Sequence, residues 1–409
     1  MAVHRRFRGR LQVTPMIRSN ICLNAHPAGC EAMVKAWIDR SVKAKPELAT
    51  AARAGGKNTP QTVLVLGCST GYGLASRVTA AFSCGARTVG VSLDQEPTEV
   101  KPGTPGWYGN RAFDAAAAGK SLYAVTFNAD AFADGTREKV IALAKADGLR
   151  FDQVIYSLAS PVRVDPATGI MHRSVLKPIG EPFTGRTFDV VTSEMREVTI
   201  QPATDDEVAA TVKVMGGEDW ELWIKALSEA GVLAPGCATF AYSYIGPEYT
   251  AMIYRKGAIG RAKEHLEQTA RSLAQYLGPL GGTAWVAVNK AVVTRASAVI
   301  PVVALYLAAL FKTMKELGLH EDCLDQILRL YRDRLFAKGP VPVDSERRIR
   351  MDDWELRADV QEATSRRLAE ATAGNLDRSV DITGFRHDFL EAHGFDLPGV
   401  DYDAEVSFR

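Results

Sequence analysis

Eight residues separate a tyrosine from a lysine, Tyr254 and Lys263, in the segment Y-S-Y-I-G-P-E-Y-T-A-M-I-Y-R-K-G-A-I-G-R-A-K-E, residues 242–264. A phenol can donate a hydrogen bond to a substrate oxygen and an ammonium can grip a ribose hydroxyl, so the pair suits nicotinamide-dependent chemistry. Spacing limits how the two could cooperate. At ~100° per residue, helical side chains nine positions apart point to opposite faces. Gly257 and Gly260 supply a break, since glycine weakens a helix and permits turns. Tyr254 is therefore placed on a loop or turn, and Lys263 in the first turns of a helix starting near residue 258. The alternative is a chance pairing, and the upstream sequence decides between them.

Upstream, the apolar run T-V-L-V-L at 62–66 reads as a buried parallel strand and passes directly into G-C-S-T-G-Y-G, with a helix predicted over 74–84. Strand, glycine turn and helix form a context for binding a pyrophosphate on backbone N–H groups at a helix N-terminus. The spacing is G-x-x-x-G-x-G, and an ordinary strand–helix turn is the competing reading. A second strand over 88–93 ends at Asp94, placed to meet the adenosine ribose of NAD and to repel the 2′-phosphate of NADP. The competing reading of Asp94 is a solvated loop carboxylate. Strands predicted at 122–128 and 151–158 lead into Asp130 and Ala131, and into Leu158 and Ala159. Ligands of doubly wound sheets lie beyond the carboxyl ends of the strands, where all these residues fall.

Further along, residues 163–215 break the alternation and suggest an inserted β-hairpin flap, with alternating stretches at 188–191 and 198–200. A helix over 219–229 carries Trp220 and Trp223, and strands at 237–245 and 283–289 follow. The latter leads into Val292, Val293 and Thr294 as a nicotinamide-side loop. Residues 296–317 read as an apolar helix, either core or the wall an acyl chain would need. Another helix is predicted over 354–372. Near the N-terminus, Val34, Trp37, Ile38 and Val42 have helical spacing, while 43–60 reads as a polar connection. His26 and Cys30 read as a structural loop and helix start rather than a metal pair.

The expected fold is α/β, a Rossmann-type doubly wound parallel sheet with flanking helices, the hairpin flap and an added helical substrate-binding region. One large domain spans 1–409: an extension at 1–14, an NAD-binding core at 62–162, the insertion with its flap at 163–235, a catalytic and substrate-binding region at 236–330, and a helical and loop region at 331–409. Composition agrees with a globular chain, with 46% hydrophobic and 24% charged residues. Lys plus Arg number 49 against 48 Asp plus Glu, which gives no electrostatic reason to expect nucleic acid or an anionic membrane. Cys22, Cys30, Cys68, Cys84, Cys237 and Cys323 are scattered, without a C-x-x-C pair, which reads as reduced, intracellular usage and no zinc framework. The Arg-rich start lacks a secretory core, and the 16-residue apolar run at 296–311 contains Pro301 and is short for a membrane span. A cytoplasmic, monomeric protein without a metal is expected.

With these parts in place, the chain resembles the FabV-type trans-2-enoyl-ACP/CoA reductases, long members of the short-chain dehydrogenase/reductase superfamily. The resemblance spans roughly 15–406 and rests on N-A-H-P-A-G-C at 24–30, G-C-S-T-G-Y at 67–72, N-A-D-A-F at 128–132 and Y-S-L-A-S-P at 156–161. It continues through S-Y-I-G-P at 243–247, Y-R-K-G-A-I-G-R-A-K-E-H-L at 254–266 and G-F-R-H-D-F-L at 384–390. It implies Tyr254 as the catalytic tyrosine, Tyr244 as a substrate-binding partner and Lys263 as a catalytic residue that also contacts the cofactor. It further implies that Gly67, Cys68, Ser69, Thr70, Gly71, Tyr72, Leu93, Asp94, Asp130, Ala131, Leu158, Ala159, Val292, Val293 and Thr294 line an NADH/NAD site. The implied substrate is an enoyl-CoA or enoyl-acyl carrier protein, and Lys263 is expected to lower the pKa of Tyr254. Two departures stand out: Asp94 replaces a Glu common in the family, and the N-terminal extension has no counterpart. The rival readings are a ketoacyl or alcohol dehydrogenase of the same superfamily, and a non-catalytic NAD-binding regulator.

Overall fold

The computed structural model describes residues 10–18, 20–295, 297, 300 and 302–408. Its centre is a seven-stranded sheet in which every strand pairing is parallel. In chain order the strands are β1 Thr62–Leu66, β2 Arg87–Ser92, β3 Ala124–Asn128, β4 Phe151–Tyr156, β5 Leu233–Ser243, β6 Thr283–Val288 and β7 Arg348–Arg350. Their order across the sheet is β3-β2-β1-β4-β5-β6-β7. Strand order therefore reverses between β1 and β4, the crevice where doubly wound folds bind dinucleotides.

Side-chain alternation builds two cores from these strands. Val63, Val65, Ile155, Phe240 and Ala287 pack on one face against α1 (Pro27–Gly55), α2 (Gly71–Val78), α3 (Pro105–Gly119) and Cys323–Leu330. Leu64, Leu66, Val154, Ala241 and Val286 pack on the other against α4 (Asp134–Ala146), α6 (Glu218–Glu229) and α7 (Ala258–Leu277). Both tryptophans of α6 are fully buried there, Trp220 donating to Thr239 Oγ1 and Trp223 to the carbonyl of Ala131. A third core lies beyond the sheet and contains Tyr254, the hairpin residue Phe188, and α8 (Val303–Glu316).

Several boundaries differ from the sequence reading. The predicted polar connection at 43–60 is helical as far as Gly55, because Leu48 and Ala52 continue the buried stripe of α1 past Pro46. The insertion holds not only the hairpin Phe183–Phe188/Met195–Ile200 but also α5 (Asp205–Met215), opened by a Thr204/Glu207 capping box. Strand β7 was missed, being three residues long and mostly charged. The apolar run at 296–311 begins with residues that in part lie outside the described ones, Ala296 and Pro301 among them, and its described helix starts at Val303. Every residue from Val303 to Phe311 is buried, so this part of α8 is core on all faces, while Lys315 and Glu316 of its last turn are exposed. The expected helix at 354–372 is confined to Ala358–Glu370, and the N-terminal extension is described only from Arg10. All six cysteines are free, and among the described residues no helix is long and apolar enough to cross a membrane.

Candidate active site

Tyr254 sits in a run of turns that ends in Gly257, the N-cap of α7. Its backbone N–H donates to the Thr250 carbonyl at 3.1 Å, and the Ala258 N–H donates to the Lys177 carbonyl at 3.0 Å. The helix break is thus where the sequence placed it, at Gly257. Gly260 is needed for another reason, since it lies inside the first turn of α7, where a Cβ would collide with the carbonyl of Arg255. The ring of Tyr254 meets that of Tyr244 edge to face, with centroids 4.8 Å apart and planes at 84°. Tyr244 follows β5 immediately and donates its hydroxyl to Glu355 Oε1 at 3.0 Å. Among the described residues the Tyr254 hydroxyl has no hydrogen-bond partner.

Burial, reinforced by the charge of Glu355, pushes the Tyr254 phenol well above its ordinary pKa. This corrects the expectation that Lys263 lowers it: desolvation of a phenolate outweighs any cation here. The same burial favours the protonated phenol. Lys263 lies half-buried in the second turn of α7 without an ion pair among the described residues. The acid one turn further along the helix, Glu267, is engaged by Arg255 at 2.9 Å and Arg348 at 3.4 Å. Desolvation lowers the Lys263 pKa to about 8, with Glu267 pulling the other way.

The glycine turn lies at the carboxyl end of β1. Gly67 (φ 85°) and Gly71 (φ 54°) adopt left-handed backbone, and a Cβ at Gly67 would strike the Ser157 carbonyl. Gly73 packs so close to the Gly67 carbonyl that no side chain fits. Thr70, the N-cap of α2, makes no capping bond with its side chain, so the first N–H groups of the helix are left for an anion. Cys68 and Tyr72 turn away from this cradle. Cys68 is buried with its thiol toward Asn110 Oδ1, and the Tyr72 hydroxyl donates to the Lys290 carbonyl at 2.8 Å, so both offer only backbone.

Asp94 is buried, not the solvated carboxylate of the competing reading. Its oxygens accept from Ser92 Oγ at 3.0 Å and Thr104 Oγ1 at 2.9 Å. Each oxygen keeps a free lone pair. Ser69 and Asp94 converge on Gly106, where any side chain would collide with both. Leu93 is exposed beside them, and Asp130 Oδ1 caps the Phe132 N–H at 2.9 Å next to the buried Ala131. Leu158 flanks Gly67, and the exposed Ala159 follows it. After β6, Val292 and Val293 are buried, and Thr294 lies across from Gly71, its Cγ2 3.6 Å from where a Cβ would be. Ser297 Oγ secures this loop by donating to the Val292 carbonyl at 2.7 Å. Contacts therefore join Asp94 to Ser69, Gly67 to Leu158 and Gly71 to Thr294 at the carboxyl ends of neighbouring strands, and the backbone donors of the glycine turn fit a dinucleotide.

Sequence reasoning missed Glu355, Tyr306 and Lys290, which lie behind the tyrosines. Tyr306, on α8, donates to Glu355 Oε1 at 2.6 Å, and Lys290 Nζ donates to the carbonyls of Ala291 and Glu321 at 3.0 and 3.1 Å. The one available signal was the polar tip of Tyr306 inside an otherwise apolar helix, which demands a buried partner.

A doubly wound parallel sheet with this glycine turn, and a buried acid at the end of the next strand, defines a nicotinamide-dependent oxidoreductase of the Rossmann class. Three family models match consecutive segments. These are the NAD(P)H binding domain of trans-2-enoyl-CoA reductase over 12–99, the trans-2-enoyl-CoA reductase catalytic region over 101–336 and an enoyl reductase FAD binding domain over 343–406. The chain is 57% identical to a trans-2-enoyl-CoA reductase [NADH] of Treponema denticola, covering 96% of this chain and 98% of that one. It is 50% identical to an enoyl-[acyl-carrier-protein] reductase [NADH] of Flavobacterium johnsoniae, over 97% of each. The crystal structure of the Treponema denticola enzyme in complex with NAD superposes with a TM-score of 0.93 at 57% identity, covering 97% of this chain and 98% of that one. The chain belongs to the trans-2-enoyl-CoA reductase family.

The flavin in one of those descriptions does not fit the residues present. Between β7 and the helix that follows it, Ala358–Glu370, there is no glycine turn. Val360, Leu368, Phe385 and Phe389 of this segment are buried in the core around α8. The segment instead contributes Glu355.

Proposed function

We propose that this chain reduces the carbon–carbon double bond of trans-2-enoyl thioesters at the expense of NADH, with Tyr254 as the donor to the thioester oxygen. The observation that carries this is the buried Tyr254, packed with Ala291 and Val293 of the loop after β6, its hydroxyl without a partner among the described residues. When bound, NADH supplies the hydride that adds to the β-carbon. Negative charge then develops on the thioester oxygen, and a pre-placed O–H stabilises the enolate more than the ground state. Because burial keeps Tyr254 protonated, it serves as a hydrogen-bond donor across the assay range without losing its proton. Lys263 holds the cofactor ribose, and Tyr244 bounds the substrate side. The α-carbon takes one proton, completing the saturated acyl thioester as NAD⁺ forms.

The test is purified protein with NADH and crotonyl-CoA, following NADH loss together with the saturated product. A β-ketoacyl-CoA in parallel separates this reading from a ketoacyl dehydrogenase, whose tyrosine and lysine have three residues between them. Reduction of the ketone and not the alkene would overturn the assignment. Matched acyl-CoA and acyl-carrier-protein substrates decide the carrier. The relatives point to both, and on this reading the chain accepts either.

Cofactor choice gives a second test. Asp94 keeps a carboxylate beside Ser69 at the adenosine end, so a 2′-phosphate would bring two like charges together. NADH is expected to be used well over NADPH, and Asp94→Ser to narrow that gap by raising kcat/KM for NADPH. Equal efficiency of the native protein with both cofactors would remove Asp94 from this role.

A further inference from the structure

Glu355 lies between β7 and the helix Ala358–Glu370, and its side chain is wholly buried. Three donors converge on it. The hydroxyls of Tyr244 and Tyr306 reach Oε1 at 3.0 and 2.6 Å, and the backbone N–H of Ala291 reaches Oε2 at 2.7 Å. Gln361 Nε2 completes the cluster, donating to the Glu355 carbonyl at 2.7 Å and to the Tyr306 hydroxyl at 3.3 Å.

We propose that Glu355 is a positioning residue for the reduction, fixing the substrate-side tyrosine pair and the nicotinamide-side loop to one carboxylate. The inference rests on the roles given above to Tyr254 and Tyr244. Its physical content is directional. All three partners point an N–H or O–H at the carboxylate, which an ionised glutamate satisfies from its lone pairs. The Tyr244 O–H is thereby committed to Glu355, and its ring is held edge-on to Tyr254. Tyr254 is left as the hydroxyl free to meet a developing oxyanion. On the other side, the Ala291 N–H sets where Val292–Val293–Thr294 begins, and Thr294 faces Gly71 across the crevice. One buried group thus registers the donor against the hydride source. Lys290 supplies compensating charge nearby, although its Nζ is held by carbonyls and makes no ion pair with Glu355.

Glutamine cannot reproduce this pattern. With its oxygen toward the tyrosines, its amide N–H₂ faces the Ala291 N–H; reversed, it donates to the two hydroxyls and turns their protons away. The test is a double-mutant cycle on crotonyl-CoA reduction with Glu355→Gln, Tyr244→Phe and the pair. Glu355→Gln is expected to lower kcat by ~10- to 100-fold, as for small misplacements of reacting groups, with KM for NADH within about threefold of the native value. The pair should be no slower than the slower single variant, because the Tyr244 hydroxyl acts on kcat only through its bond to Glu355. Losses that multiply, or an unchanged kcat in Glu355→Gln, would overturn the proposal. Should Glu355→Gln fail to fold, Tyr306→Phe takes its place in the cycle, since it strips the shorter bond from the same oxygen. The same non-additivity is then expected, and multiplying losses again overturn it. Native protein that leaves crotonyl-CoA unreduced would instead sink the proposed function, so the two failures are distinguishable.

Discussion

Tyr254→Phe is expected to lower turnover by ~10²-fold or more while leaving the fold and NADH binding in place, the signature of a lost oxyanion donor. The substitution removes one oxygen, and that oxygen has no partner among the described residues. No buried group is stranded by its loss, so the melting temperature should hold or rise slightly. Measured together, kcat, the Kd for NADH and the thermal midpoint separate a lost donor from a damaged fold. The same measurements on Tyr244→Phe should give a milder fall in kcat, with more of its effect on substrate KM. Near-normal turnover in Tyr254→Phe with loss in Tyr244→Phe would exchange the two roles. If neither mattered, the proposed mechanism would fail.

Lys263→Met should behave differently, weakening NADH binding as well as turnover. The ammonium is half-buried with its pKa lowered to about 8, because burial disfavours its charge and Glu267 is already engaged by Arg255 and Arg348. A dinucleotide carrying an anionic pyrophosphate binds best to the protonated form. Below pH 8 the free protein is already in that form. Above it, binding requires uptake of a proton, so NADH affinity in the native protein should fall, by up to tenfold per pH unit. Lys263→Met should bind weakly with a flat profile through the same range. An affinity falling equally steeply in the variant would assign that titration to another group.

Much of this site can be read directly in the sequence because its parts are local. A glycine with positive φ after an apolar strand, an acid at the next strand's end and a helix break at Gly257 each leave a mark within a few residues. Alternation in T-V-L-V-L set both faces of β1, since Val63 and Val65 join one core and Leu64 and Leu66 the other. What escaped notice depends on distant pairs. Arg348–Arg350 looks like a charged loop until β6 is beside it, and Glu355 looks like one acid among several in M-D-D-W-E until Tyr244, 111 residues earlier, donates to it. The direction of the Tyr254 shift was misread for the same reason. The resemblance implies a cation, Lys263, beside the phenol, whereas the governing influences, desolvation and the charge of Glu355, come from packing.

The position of Glu355 after every residue of the cofactor crevice bears on how the protein becomes active as it is made. The glycine cradle, both tyrosines and the lysine all emerge from the ribosome before residue 355 does. Until that residue docks, the hydroxyls of Tyr244 and Tyr306 and the Ala291 N–H have no acceptor, each costing ~1–3 kcal/mol if buried so. The apolar wall of α8 also waits for Val360, Leu368, Phe385 and Phe389 to cover it. A nascent or proteolytically clipped chain ending near residue 340 would carry every residue of the cofactor crevice and still be unable to close its reaction centre. Activity should therefore appear only once the segment from Arg348 to Phe389 has been made and docked, and an N-terminal fragment should regain it when supplied with that segment in trans.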